Sequence, residues 1–67
     1  MALYSNERTA ACMLHAANPT AGHIVAAKLR NAAQPIILLD EVAGDAGAVA
    51  ALEDILTIAD LLSGASS

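Results

Sequence analysis

Cys12, His15 and His23 are the residues in this chain whose types could hold a metal ion. Cys12 and His15 stand three apart, so on a helix they can point to one side. His23 lies beyond the Asn18-Pro19 corner and could approach them from the next segment. A thiolate and two imidazoles suit zinc, with a fourth ligand from a carboxylate or a second subunit. Zinc sites with strong sequence signatures carry paired C-x-x-C or H-x₃-H spacings, which these residues lack. A cysteine on an alanine-rich helix is ordinarily a small core residue. The same residues could support nucleophilic catalysis, with Cys12 attacking and His15 or His23 as base. That chemistry needs a third, orienting group and a pocket of about 300 Å³ or more.

Two other patterns invite a chemical reading. Ile36-Ile37-Leu38-Leu39-Asp40-Glu41 has the form of a Walker B run, in which a strand delivers an Asp to Mg²⁺ and a Glu to the attacking water. The chemistry also requires a G-x-x-x-x-G-K-[ST] loop to cradle the phosphates, and the chain has none. Tyr4, Arg8, Lys28 and Arg30 could form an anion or nucleotide site at a subunit boundary, Arg supplying a donor fork and Tyr a stacking face. The plainer reading has Tyr4 packed over the first helix and the cations solvated. No cofactor and no catalytic residue are predicted.

The elements that would position these residues are set off by clear punctuation. Ser5 or Asn6 can cap a first helix, and Ala10, Met13, Leu14 and Ala17 form an i, i+3, i+4, i+7 stripe along it. Asn18-Pro19 ends it, because a residue before proline is pushed out of the α region. A second helix then starts with either Asn18 or Thr20 as N-cap and runs to Ala33, where Gln34-Pro35 closes it. Residues 35–43 can be a buried strand or a short helix; Pro35 suits the first helical position, and helix is the expectation. Asp45 caps the last helix, which carries Ala48, Leu52, Ile55, Ala59 and Leu62 at 4, 3, 4, 3 spacing. Gly64 is placed to end it. The predicted fold is a single all-α domain over residues 1–67, of three or four short helices, with frayed ends at 1–5 and 63–67.

Composition adds the case for self-association. The chain has 67 residues, is 57% apolar, and has Tyr4 as its one aromatic residue. A chain this short buries only about 60% of the surface its unfolded form exposes, and one cysteine allows no intrachain disulfide. Bulky aliphatics crowd the second half, more than two or three helices would cover, and such surplus marks an interface. The bundle is therefore expected to be completed by homo-oligomerisation, most simply as a dimer. Its interface is predicted at Ile36, Leu39, Val49, Leu52, Ile55, Leu56, Ala59 and Leu62.

Charge and localisation bound the partners. Glu7 against Arg8, Lys28 and Arg30 leaves +2 over residues 1–34, and six acids without a base give −6 over 35–67. Three bases are too few for the basic stripe of a nucleic-acid binder. The acidic face of Asp40, Glu41, Asp45, Glu53, Asp54 and Asp60 could imitate a phosphate backbone or dock on a basic protein, though a bundle helix must have some polar face. No apolar run reaches the roughly 18–20 residues of a membrane span, and the N-terminus lacks a secretory pattern, so the cytoplasm is the default expectation. The function expected is a non-enzymatic protein-binding module, an adaptor, regulator or inhibitor. Anion binding by Tyr4, Arg8, Lys28 and Arg30 and metal binding by Cys12, His15 and His23 are the alternatives.

Overall fold

A computed structural model of the chain describes the backbone of residues 2–64 and the side chains of residues 6–64. The chain is all-α: α1 (Ala2–Ala17), α2 (Pro19–Ile37), α3 (Asp40–Ala43) and α4 (Ala46–Ser63), with no strand among the described residues. Ile36–Leu39 is thus neither a strand nor the body of a separate helix. Met1 and residues 65–67, part of the expected frayed ends, lie outside the described residues.

One residue makes the first corner. Asn18 donates its N–H to the Leu14 carbonyl at 2.8 Å, closing α1, while its side-chain oxygen accepts from the Ala21 N–H at 3.1 Å, opening α2. Asn18 rather than Thr20 is the cap, and Pro19 takes the first helical position, where a missing N–H costs nothing. At the other end of the chain Asp45 caps α4 through Gly47 and Ala48 at 3.0 and 3.2 Å. Gly64, at φ 75°, ends it in the left-handed region.

Three sequence expectations are corrected. First, α1 begins at Ala2 rather than Asn6, so residues 2–5 are helical. Second, α2 does not stop at Ala33 but runs through Pro35 to Ile37. Proline removes one hydrogen bond, to the carbonyl of Asn31. Asn31 and Pro35 are both exposed, so water can take that carbonyl, while buried Ala33 and half-buried Ile37 hold the last turn on the inner side. The chain then bends at Leu38 and Leu39, with the Leu39 N–H on the Ile36 carbonyl at 3.1 Å. Third, α1 packs through Ala11 and Leu14, whereas Ala10, Met13 and Ala17 of the expected stripe are exposed. With alanine on nearly every side of α1, apolar spacing does not single out a face.

The core lies where α1, α2 and α4 meet. Ala11, Ala26, Ala59 and Leu62 form its centre, with Leu14, Leu29, Ile58 and Leu61 packed around them. Gly22, near the start of α2, sits on Leu62, near the end of α4, so the two helices run antiparallel. A Cβ at Gly22 would collide with the Leu62 carbonyl oxygen and lie 3.5 Å from the His15 Cα. All three helices therefore approach at a position that only glycine fits. Gly22→Ala should destabilise the fold by about 1–3 kcal/mol because backbone must move. Gly47→Ala, whose new methyl meets only the Asp45 carboxylate at 3.4 Å, should be neutral or stabilising by up to about 1 kcal/mol. Urea unfolding of both variants checks this opposite sign.

Candidate functional site

The residues singled out for chemistry are distributed over separate places. His15 is half-buried, and its Nδ1–H donates to the Leu62 carbonyl at 3.0 Å. That bond satisfies one of the orphan carbonyls in the last turn of α4. The rest of the ring lies over Gly64, where a Cβ would stand 2.6 Å from Nε2. The His23 ring meets it edge-on, with centroids 6.3 Å apart. Cys12 is exposed and lines a shallow depression of about 490 Å³ with Arg8, Thr9, Met13, Ala16 and Leu61. Among the described residues no group of three His, Cys, Asp or Glu side chains could hold a metal, so Cys12, His15 and His23 are not drawn into one ligand set.

The cations are likewise dispersed. Arg30 spans from α2 to α4, donating to the Asp60 carboxylate at 2.7 Å and to the Ser63 hydroxyl at 3.2 Å. Ser63 in turn donates to the Asp60 carbonyl at 3.1 Å. Lys28 is exposed on the far side of α2, and Arg8 stands on α1. The Tyr4 side chain lies outside the described residues. Asp40 and Glu41, of the Walker-like run, sit on the short helix α3 after a bend and not at a strand end.

The residues expected at a subunit interface divide in two. Leu52, Ala59 and Leu62 are buried within the chain itself, and Val49 and Leu56 are half-buried. Ile36, Leu39 and Ile55 remain exposed, joined by Met13, Ile24, Val25 and Leu38, the last 80% exposed. Leu52, Ala59 and Leu62 of the α4 seam are thus intrachain core, while Ile55 of the same seam stays exposed. The surplus apolar surface lies instead on α2, at the bend after it and in a groove beside α4.

That groove, of about 430 Å³, lies between the early turns of α1 and the α2–α4 pair. Its floor is Leu29, Ala51, Ile55 and Ile58, and its two carboxylates are Glu7 and Asp54. Ala51, Asp54, Ile55 and Ile58 form one i, i+3, i+4, i+7 stripe of α4. Glu7 stands four residues before Ala11 and seven before Leu14, on the packing face of α1. An acid thus lines the groove from the packing face of α1. Among the described residues neither Glu7 nor Asp54 has a hydrogen-bond or ion-pair partner. Sequence reasoning passed over Glu7, Leu29, Leu38 and the pairing of Glu7 with Asp54. The Glu7–Ala11–Leu14 spacing is a signal for it once the inner face of α1 is known.

No protein-family model, no curated protein and no solved structure matches the chain. Among the described residues no helix is long and apolar enough to cross a membrane.

The Arg30–Asp60 pair is 36% and 49% exposed at its two side chains, so water screens it. Arg30→Gln should cost about 0.5–1 kcal/mol, and high salt should reduce the wild-type advantage. Thermal melts of both proteins at low and high ionic strength measure the difference.

Proposed function

We propose that this chain is a small non-enzymatic protein-binding module, an adaptor, regulator or inhibitor of a larger protein, that works as a helical homo-oligomer. The observation that carries this reading is the outer face of α2. Ile24, Val25, Lys28, Ala32, Pro35 and Ile36 are all exposed. At 3.6 residues per turn they fall within about one third of the helix circumference. Leu38 and Leu39, at the bend that follows α2, are 80% and 51% exposed. Contiguous apolar surface with a single charge marks a binding face, since water is better displaced from it than retained.

A second copy suits this face. Two α2 helices laid antiparallel and centred at position 30 set Ile24 of each chain against Ile36 of the other and Val25 against Pro35, in a two-fold arrangement. The inner side of α2 is unaffected, because Gly22, Ala26 and Ala33 face the core.

Size exclusion with light scattering tests the reading. The wild-type chain should run at twice its own mass. The double variant Ile24→Asp with Ile36→Asp should run at the mass of one chain, with helical circular dichroism retained because both positions are exposed. A wild-type monomer at all accessible concentrations overturns the oligomeric reading.

A further inference from the structure

We infer that the groove between α1 and α4 receives a basic, amphipathic helical segment of a partner protein. The inference rests on the protein-binding reading above and names the chemistry of the partner. The floor is apolar and comes from two helices: Leu29 from α2, and Ala51, Ile55 and Ile58 along α4. The walls are two carboxylates, Glu7 on α1 and Asp54 on α4, without partners among the described residues. An occupant must therefore offer aliphatic side chains to the floor and cations to the walls.

A helix offers both at matched spacing. The floor runs from Ala51 to Ile58, about 10 Å or two turns at 1.5 Å per residue. Apolar residues three or four apart on a partner helix reach along that length, and Lys or Arg residues beside them reach Glu7 and Asp54. The long stems of those bases can lie against the aliphatic rim while their charged ends meet the carboxylates. A groove of about 430 Å³ admits side chains of that kind and lies within the range of binding sites.

Charge selects this occupant over a second copy. The chain carries a net charge of −4, and Arg30 is already held by Asp60 and Ser63. A copy is net acidic and has Lys28 as the single cation on its exposed apolar α2 face, whereas a basic segment brings several cations to the two carboxylates. Opposite charge also steers the approach, which makes binding faster and sensitive to salt.

Fluorescence anisotropy with two labelled peptides tests the inference on the full chain. Both are about four helical turns long, with leucines at three- and four-residue spacing; one carries lysine at the polar positions and the other glutamate. The lysine peptide should bind and the glutamate peptide should not. Glu7→Gln with Asp54→Asn, which keeps shape and removes charge, should weaken binding by about tenfold or more. Ala51→Leu, at an exposed position on the groove floor, should weaken it by filling the space. Asp40→Asn with Glu41→Gln removes the same charge elsewhere and should leave the affinity within about twofold, the change expected from long-range attraction alone. Absence of binding by the lysine peptide, equal binding of both peptides, or equal loss in the two charge variants overturns the inference. The mass of the wild-type chain is an independent readout, so failure here leaves the self-association reading standing.

Discussion

Close approach of helix backbones at Gly22, Ala26 and Ala59 is the constraint on which the rest of the structure depends. Ala26 and Ala59 have no exposed surface at all, and Gly22 lies against the Leu62 carbonyl. Helices this near one another gain dispersion energy from many backbone and Cβ contacts rather than from large side chains. They also leave no volume for large side chains between them. Among the described residues Leu52 and Leu62 are the large aliphatics that become buried, while seven large apolar side chains stay exposed. A core of small residues and a surface of large ones are thus one fact seen from two sides.

The polar contacts secure the same junction. His15 donates to the Leu62 carbonyl, and Gly64 leaves room for the imidazole. Arg30, from the next turns of α2, reaches Asp60 and Ser63. The last turn of α4 is therefore tied to both other long helices. These bonds use up the groups that a reading by residue type would assign to chemistry. A histidine and an arginine are explained by packing and capping, and the histidine–cysteine pair is split between the junction and an open depression.

Away from the junction the packing loosens, and the surfaces proposed for binding arise there. Glu7 stands on the inner stripe of α1 and lines the groove floored by Leu29, Ile55 and Ile58. On the opposite side α2 turns Ile24, Val25 and Ile36 outward, because Gly22, Ala26 and Ala33 take its inner face. The two surfaces differ in charge, one bearing a single lysine and the other two carboxylates. They can accordingly serve different occupants without competing.

Local chemistry was legible in the sequence by itself. Asn18-Pro19, Asp45 and Gly64 mark helix ends because each supplies or spares a hydrogen bond within a few residues, and the all-α class follows from them together with the spacing on α4. What tertiary structure decided was the choice of faces. On α1 alanine is so frequent that Ala11 and Leu14, rather than Ala10, Met13 and Ala17, turn inward only because α2 and α4 are there to receive them. Pro35 sits inside α2 because the inner side of that turn is held by Ala33 and Ile37, a contact that the local rule for proline does not contain. Leu52, Ala59 and Leu62 become intrachain core rather than interface for the same reason. Burial is decided by which surfaces approach most closely, and for alanine and glycine that depends on the whole assembly of helices rather than on any one stretch of sequence.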